Sequence, residues 1–330
     1  MGDIAIATAC YQYFDAKGFN YKVMDLAKKY FKVPLCKYNI VYGGGGLFTK
    51  YYQGHYKKLF KYFKSKNLQK AVILPASFYE CDDLLELFDE RFTVFCRDEQ
   101  SFKYCCEKNK KAKFFLANDM VLGLNLDFYH KGKIDKAQIE QNIKKISNET
   151  IYKLKNEVFP YYKNISEQIA EYCNGNTLGT FFRLDDESCH FKDVHLSSLV
   201  DLSIAMNSHC ADKALCIIFV RFFLDVLNSF PTIVSDRLHI GICSYLLNKK
   251  VYLIDNAFKK CSNVFKNYGK SNDNLVLIED IKQLPIELTN EKTDKKNIDI
   301  SISFVEFLAQ WLSIKNNFGL EKKYWRKNVR

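Results

Sequence analysis

The chain has 330 residues, 48% of them hydrophobic and 26% charged, a composition typical of a globular protein long enough for two domains. Its 49 basic and 38 acidic residues give a net charge of +11, which suits an anionic substrate, a nucleic acid or an anionic membrane surface. The lysines form short, scattered clusters, which are interpreted as solvated surface. The longest apolar stretch is residues 216–227, and it contains an arginine and an aspartate, which exclude a membrane span.

Short apolar runs alternate with amphipathic helical stretches along most of the chain. Eight runs have the length and flanking turns of buried strands: 37–43, 70–77, 92–97, 112–119, 177–184, 232–236, 250–255 and 274–279. Helical periodicity covers 4–16, 20–31, 51–65, 80–89, 98–109, 194–204, 211–228, 238–248 and 302–317. Strands that alternate with helices at this spacing predict an α/β protein with parallel sheets.

Two polar segments divide this pattern. Residues 132–173 interrupt the alternation of strands and helices, and residues 286–298 precede a C-terminal helix with an apolar stripe. We therefore predict four parts: an N-terminal α/β domain (1–131), a helical linker or insertion (132–173), a C-terminal α/β domain (174–285), and a polar linker with a helix that crosses back (286–330).

Four consecutive glycines, Gly43, Gly44, Gly45 and Gly46, follow the first predicted strand and precede a helical pattern. Glycines let backbone amides approach a ligand, and the N-terminus of a following helix favours an anion. The run matches neither the dinucleotide-binding nor the P-loop pattern. It is interpreted as a loop that contacts phosphate or substrate, with a simple tight turn as the alternative.

The segment SDRLHIG, residues 235–241, places an acid, a guanidinium and an imidazole at the end of a predicted strand. Arg237 and His239 are two residues apart, so they share one side of the chain only where it is still extended. A turn with solvated charges is the alternative interpretation.

Polar residues follow three other predicted strands in the same way. Arg97 ends the strand at 92–97, Arg183 lies at the end of the strand at 177–184, and Asp255 ends the strand at 250–255, shortly before Lys260. Open α/β sheets bind their ligands at the carboxyl ends of the strands. The five placements together therefore predict one ligand-binding cleft.

The twelve cysteines do not predict a metal centre. No Cys-x-x-Cys pair occurs, and the cluster of Cys189, His190 and His195 lacks a fourth ligand. Reduced cysteines, and an N-terminal segment without the basic flank of a secretory leader, predict a cytoplasmic protein.

The ordered motifs resemble the polysaccharide pyruvyl transferase family over residues 2 to about 262. The most specific match is SDRLHIGICSYLLNKKVYLIDN at 235–256. The others are GD-x-AI at 2–6, GGGG at 43–46, LPASF at 74–78, FCRDEQSF at 95–102, NDM at 118–120, FRLDDE at 182–187 and Lys260. The chain differs from the family pattern at Ser235, at Ile240 and at Lys259, where a glycine is frequent, and no strand precedes its Gly-Asp element.

This resemblance implies two Rossmann-like halves that face a cleft, as in GT-B glycosyltransferases. It also implies transfer of the pyruvyl group of phosphoenolpyruvate to two hydroxyls of a sugar in a surface glycan or its precursor, which gives a pyruvate ketal and phosphate. Phosphoenolpyruvate is then a co-substrate, and neither a cofactor nor a metal is expected.

The resemblance also assigns roles to residues. The implied catalytic residues are His239, Arg237 and Asp236. The implied donor-binding residues are Arg183, Arg237, Leu238, His239, Asn256 and Lys260. The acceptor side or phosphate loop is expected to include Asp3, Gly43, Gly44, Gly45, Gly46, Ser77, Arg97 and Asp119.

The residue types fit that chemistry. Arginine binds planar oxyanions in a bidentate manner, which suits a donor that carries a carboxylate and a phosphate. Histidine suits proton transfer at neutral pH. The alternatives are a GT-B glycosyltransferase that uses a nucleotide sugar and a non-catalytic relative that binds glycans or serves as a scaffold.

The expected partners are phosphoenolpyruvate and a sugar or glycan, which can be lipid-linked. Nucleic acid is not expected, because the charge is dispersed and the aromatic residues follow core periodicity. Contact with a membrane is expected to be peripheral at most, at its inner face.

Overall fold

The computed structural model describes residues 1–24, 38–130, 178–183, 213–255, 259–265 and 273–285. The predicted linker at 132–173, the helices predicted at 194–204 and 302–317, the C-terminal segment from 286 and Asn256 lie outside the described residues.

The first half of the chain forms a parallel sheet around a central strand. Its strands are β1 (Ile40–Tyr42), β2 (Gly45–Thr49), β3 (Ala71–Tyr79), β4 (Phe92–Cys96) and β5 (Lys113–Leu116). On one side of β3, strand β1 pairs with the first half of β3 and strand β2 pairs with the second half of β3. On the other side, β4 pairs with β3, and β5 pairs with β4. All of these strands therefore point their carboxyl ends toward the same edge.

Helices and short turns connect these strands. They are α2 (Gln53–Phe63), α3 (Asp82–Leu85), α4 (Glu99–Lys108) and α5 (Asp127–His130), with 3-10 turns at Lys50–Tyr52 and Met120–Gly123. The apolar side chains of α2 are spaced three or four residues apart and pack on the sheet through Tyr56, Leu59 and Phe63.

A second parallel sheet contains four strands in chain order. They are β6 (Leu178–Phe181), β7 (Thr232–Ser235), β8 (Lys250–Ile254) and β9 (Leu275–Ile278). The accompanying helices are α6 (Lys213–Asn228), α7 (Leu238–Leu246) and α8 (Lys260–Phe265), followed by a 3-10 turn at Ile281–Gln283. Strand β7 buries Ile233, Val234 and Ser235 in succession, as expected for a strand covered on both faces, and Ser235 Oγ donates to the carbonyl of Phe181.

The N-terminal helix, α1 (Gly2–Ala16), packs in the core of the second sheet. Its buried residues, among them Ile4, Ile6 and Ala9, share one apolar cluster with helix α6 and with Ile240 of α7. Val121 and Leu124, which follow β5, join the same cluster. A continuous apolar core thus joins the carboxyl end of the first sheet to the second.

The α/β class with parallel sheets is confirmed, and the eight predicted strands are all present. The GT-B-like arrangement and the domain boundaries remain predictions. No helix in the described part of the chain is long and apolar enough to cross a bilayer.

Three local predictions were wrong. Strand β2 was missed, since its two glycines were interpreted as part of a loop that leads into a helix. Residues 20–24 are not helical, although the pattern predicted a helix over 20–31. The helix predicted over 80–89 is a single turn, Asp82–Leu85, and the left-handed conformation of Glu80, with φ of 47°, keeps it from starting at residue 80.

Candidate active site

A buried arginine joins the ends of three strands of the first sheet. Arg97, directly after β4, is 2% exposed; its Nε donates to Ser77 Oγ of β3 at 2.8 Å, and its Nη1 donates to Asp119 Oδ2 at 2.8 Å. Ser77 Oγ donates in turn to Asp98 Oδ2 at 2.6 Å. The guanidinium is therefore fixed in orientation before any ligand binds.

Asp98 fixes the start of α4 next to this arginine. Its Oδ1 accepts the backbone N–H of Ser101 at 2.7 Å, which makes it the N-cap of the helix. Ser101 Oγ accepts the backbone N–H of Phe78 at 2.9 Å, so the helix is held against the end of β3.

The same carboxylate oxygen that binds Arg97 also faces a histidine of the second half. Asp119 Oδ2 lies 3.5 Å from His239 Nε2, which has no hydrogen-bond partner among the described residues. Asp119 is fully buried, and its Oδ1 accepts the N–H of Val121. Burial opposes its ionisation, but the charges of His239 and Arg97 hold the pKa of the Asp119 carboxyl well below its usual range.

The first residue of α1 lies against the other ring nitrogen of His239. A methyl group built on Gly2 would be 2.2 Å from His239 Nδ1 and 2.8 Å from Cγ of the ring. Any larger residue at this position would push the imidazole away from Asp119. The absence of a side chain at Gly2 is therefore part of the geometry of the site.

The glycine run has two distinct structural roles. Gly44 has φ of +87°, and a methyl group there would lie 2.5 Å from the carbonyl oxygen of Pro75, so only glycine fits against β3. Gly46 lies in front of two cations, since a methyl group on it would be 3.1 Å from Arg97 Nη2 and 3.8 Å from Lys260 Nζ. Nη2 has no hydrogen-bond acceptor among the described residues, which leaves it directed at this space.

The sequence pattern predicted that the glycine run leads directly into a helix, but in the structure it leads into a strand. Gly45 and Gly46 begin strand β2, and α2 starts only at Gln53 after a 3-10 turn. The positive charge that faces Gly46 comes from the side chains of Arg97 and Lys260.

Lys260 belongs to the second half and begins helix α8. Asp255, at the end of β8, accepts the N–H groups of Cys261 and Ser262 at 3.1 Å and so fixes the start of the helix. The preceding Lys259 has φ of 51°, a left-handed conformation that glycine adopts without strain. This geometry explains why a glycine is frequent there in the family that the sequence resembles.

A second set of charged residues lies at the ends of β6 and β7. Asp236 is fully buried, and its Oδ1 accepts the backbone N–H of Arg183 at 2.8 Å. Burial raises the pKa of the Asp236 carboxyl to about 6, although Arg183 and Arg237 favour its ionised form. Arg237 is 8% exposed and has an extended backbone, and helix α7 begins at Leu238.

The backbone at SDRLHIG partly follows the sequence prediction. The chain is extended through Arg237, as required, but His239 already lies in the first turn of α7. No described contact joins Arg237 to His239, and their joint action remains a prediction.

A cleft of about 510 Å³, including space open to solvent, lies between the two halves. Its lining includes Gly46, Phe48, Ser77, Asp98, Lys260 and Asn263. Asn263 Nδ2 of α8 donates to Gln100 Oε1 of α4 at 2.7 Å across it. The exposed side chains of Tyr51 and Tyr79 form part of its rim.

The structure thus brings together most of the residues implied for the acceptor or phosphate side. Ser77, Arg97 and Asp119 form one network, and Asp3 Oδ1 lies 3.7 Å from the position of a methyl group on Gly45. Leu238 is buried at the start of α7. Gly2 and Ser101 were not named as site residues, although Gly2 was part of the matched Gly-Asp element.

Within the described ranges, no group of three or more histidine, cysteine or acidic side chains is placed to hold a metal ion. The eight cysteines in those ranges form no disulfide with one another.

Comparisons with known proteins place the chain among its relatives. A crystal structure of a functionally uncharacterized protein from Klebsiella pneumoniae subsp. pneumoniae NTUH-K2044 is similar, with a TM-score of 0.56, 20% identity, and coverage of 84% of this chain and 88% of the other. At that identity the likeness concerns the fold alone. The comparison with curated proteins gave no match.

The family comparison is more specific. The model of the family described as polysaccharide pyruvyl transferase matches residues 1–257, which include the glycine run, the Arg97 network and His239. Such a family supports a role in pyruvyl transfer during glycan biosynthesis. With its α/β fold and with this match over more than three quarters of its length, the chain belongs to the polysaccharide pyruvyl transferase family.

Proposed function

We propose that this protein transfers the pyruvyl group of phosphoenolpyruvate to two hydroxyls of a sugar in a glycan or its precursor. The observation that carries the proposal is the shared oxygen of Asp119, which contacts both the guanidinium of Arg97 and the imidazole of His239. An anion-binding group and a proton-transfer group are thereby held side by side.

The anionic donor fits the space in front of Gly46. Arg97 Nη2 and Lys260 Nζ both approach the position that a side chain at Gly46 would occupy. A phosphate or carboxylate there would accept charge-assisted hydrogen bonds from both cations. Arg183 and Arg237 remain proposed donor ligands on the side of the second sheet, as does Asn256.

His239 is the proposed proton donor. The carboxylate of Asp119 lies 3.5 Å from its Nε2, and general acid catalysis contributes roughly 10²- to 10⁴-fold to a rate. A donor held by Arg97 lies close to the imidazole, because both side chains contact the same oxygen. Asp236, whose pKa is raised to about 6, would then orient the ends of β6 and β7 rather than transfer the proton.

A proton adds to the methylene carbon of phosphoenolpyruvate, which becomes a methyl group, and the adjacent carbon takes on positive character. The two sugar hydroxyl oxygens bond to that carbon while its bond to the phosphate oxygen breaks. Of the two protons that the hydroxyls lose, one replaces the proton given to the methylene carbon and the other leaves with the phosphate.

The decisive experiment incubates the full chain with phosphoenolpyruvate and a panel of galactosides and N-acetylmannosamine glycans. We expect release of inorganic phosphate that requires an acceptor, together with a glycan mass increased by one pyruvate ketal. Replacement His239→Ala should abolish turnover, while thermal stabilisation by phosphoenolpyruvate is kept.

Two results would contradict the proposal. Near-normal turnover by the His239→Ala variant would contradict the assignment of His239 as the proton donor. Transfer from UDP-sugars without any reaction of phosphoenolpyruvate would instead support the glycosyltransferase alternative.

A further inference from the structure

Helix α2 carries a row of lysines that begins beside the cleft. Lys57, Lys61 and Lys64 are spaced four and three residues apart, so they lie on one face of the helix and at its end, with Lys58 next to them. All four are exposed, while the opposite face is buried in the core of the first sheet. We name Lys57, Lys61 and Lys64 the lysine row.

The negative charge that usually balances such a surface is absent from this part of the sequence. Residues 38–79 contain seven lysines and neither aspartate nor glutamate. Within the described residues, Lys57, Lys61 and Lys64 form no ion pair, whereas Lys50 pairs with Asp83 at 3.5 Å. The row therefore presents uncompensated positive charge to solvent.

The position of the row links it to the cleft. Thr49 and Tyr51 line the cleft, and α2 begins two residues after Tyr51. The helix has 11 residues and therefore extends for about 16 Å. The row therefore begins six residues after a residue that lines the cleft and continues along α2.

We infer that the lysine row binds the continuation of a polyanionic acceptor glycan, one whose repeating sugars carry carboxylate or phosphate groups. This inference rests on the proposed function, since it assigns the modified sugar to the cleft and its charged neighbours to α2. From Lys57 to Lys64 the row extends for about 10 Å along the helix, which fits a short stretch of an extended charged polymer.

A glycan fits this surface better than a bilayer does. The exposed residues of α2 itself are Gln53, Gly54, Lys57, Lys58 and Lys61, none of which is apolar. A helix that inserts into a membrane interface needs an apolar face directed at the lipid, and that face of α2 is buried in the protein.

The test measures binding without turnover. Fluorescently labelled polygalacturonate is titrated with the wild-type chain at low and high salt, with neutral dextran of similar length for comparison. We expect binding to polygalacturonate alone, and we expect it to weaken as salt rises. The variant Lys57→Gln/Lys61→Gln/Lys64→Gln should bind roughly thirtyfold more weakly, at about threefold for each lost contact.

A matched control changes the same amount of charge elsewhere. Lys103, Lys111 and Lys113 are also exposed, and the Lys103→Gln/Lys111→Gln/Lys113→Gln variant should bind polygalacturonate as the wild type does. The α2 variant should also keep its phosphoenolpyruvate-dependent turnover of a short neutral acceptor, because the catalytic residues are unchanged.

Three outcomes would overturn the inference: equal binding by the two triple variants, equal binding of dextran and polygalacturonate, or binding to phosphatidylglycerol vesicles with none to polygalacturonate. A failure of the proposed function looks different. In that case no acceptor would release phosphate from phosphoenolpyruvate, while the contrast between the two triple variants would persist.

Discussion

Asp119 Oδ2 lies 3.5 Å from His239 Nε2, although the two residues are 120 positions apart and follow strands of different sheets. The contact forms because α1 and the turn after β5 pack into the core of the second sheet. The charge of a carboxylate in the first half therefore acts directly on the proposed proton donor of the second half. Neither half contains the site alone.

The first prediction concerns this carboxylate. Replacement Asp119→Asn keeps an acceptor for the N–H of Val121 but removes the negative charge that lies 3.5 Å from His239 Nε2. We expect kcat to fall about 10²-fold. A loss of stability of about 3 kcal/mol is also expected, because Arg97 would remain buried without its partner.

A purely structural role for Asp119 would lower the amount of folded protein without changing the turnover of each folded molecule. Steady-state kinetics normalised to the folded fraction separates the two roles. An unchanged kcat per folded molecule would refute the electrostatic role.

The second prediction concerns the contact between Gly2 and His239. Alanine usually favours a helix over glycine by about 1 kcal/mol. At Gly2, however, the added methyl group would lie 2.2 Å from His239 Nδ1, so we expect Gly2→Ala to displace the imidazole and reduce turnover at least tenfold.

Two further variants check this interpretation. Gly54→Ala, in the first turn of α2, adds a methyl group with no atom within 4 Å and should not affect turnover. The double variant Gly2→Ala/His239→Ala should have a higher melting temperature than Gly2→Ala alone, because the clash is gone. Equal melting temperatures would show that the added methyl group does not clash with His239.

The sequence predicted the elements well because their apolar periodicity is a local property. All eight predicted strands exist, and α4 and α7 begin where Asp98 and Leu238 were expected to start them. Strand β2 was missed because its apolar residues are few and it pairs only with the second half of β3. Its pairing depends on Gly44 passing close to Pro75, which no local pattern reveals.

Part of the site was also predicted, because the polar residues at the ends of the strands are likewise a local feature of the sequence. The rule that ligands bind at the carboxyl ends of strands identified Arg97, Asp236 and His239, whereas Asp119 was named only through the family resemblance. The rule could not show that Asp119 faces His239 or that Lys260 faces Gly46, because both contacts join distant segments. The role of Gly2 was beyond the sequence as well, since a missing side chain matters only once its neighbour is known.

The third prediction tests the space in front of Gly46. A methyl group there would lie 3.1 Å from Arg97 Nη2 and 3.8 Å from Lys260 Nζ, and would occupy the position assigned to the donor anion. We expect Gly46→Ala to weaken phosphoenolpyruvate binding about tenfold, equal to the loss of one charge-assisted hydrogen bond.

Isothermal titration with phosphoenolpyruvate measures this change. The control is Gly43→Ala in the same glycine run, where an added methyl group has no atom within 4 Å. Equal affinities of the two variants would show that the donor binds elsewhere.

The fourth prediction concerns the pH dependence of stability. Burial raises the pKa of Asp236 from 3.8 to about 6, so the folded protein holds this proton more tightly than the unfolded chain does. Its contribution to stability is therefore complete below about pH 4 and is lost as the pH rises through 6. The loss is on the order of 3 kcal/mol.

Replacement Asp236→Asn removes this titration and keeps the acceptor for the N–H of Arg183. Urea unfolding at pH 4 to 7.5 should show that the variant gains stability relative to the wild type as the pH rises. The exposed Asp127→Asn control should follow the wild-type curve. A constant difference between Asp236→Asn and the wild type at every pH would contradict the raised pKa.

The fifth prediction uses the strained backbone before α8. Lys259 has φ of 51°, and this left-handed conformation costs a residue with a side chain about 1 kcal/mol more than glycine. Replacement Lys259→Gly should therefore stabilise the protein by about that amount, offset in part by the greater freedom of glycine in the unfolded chain. Lys259→Ala removes the same charge and most of the same side chain but keeps Cβ, so it should give no such gain.

The carbonyl of Lys259 accepts the N–H of Asn263 at 3.0 Å. Relief of the backbone strain should therefore also stabilise the start of α8 and the position of Lys260. Equal melting temperatures for the glycine and alanine variants would show that the strain has no energetic consequence.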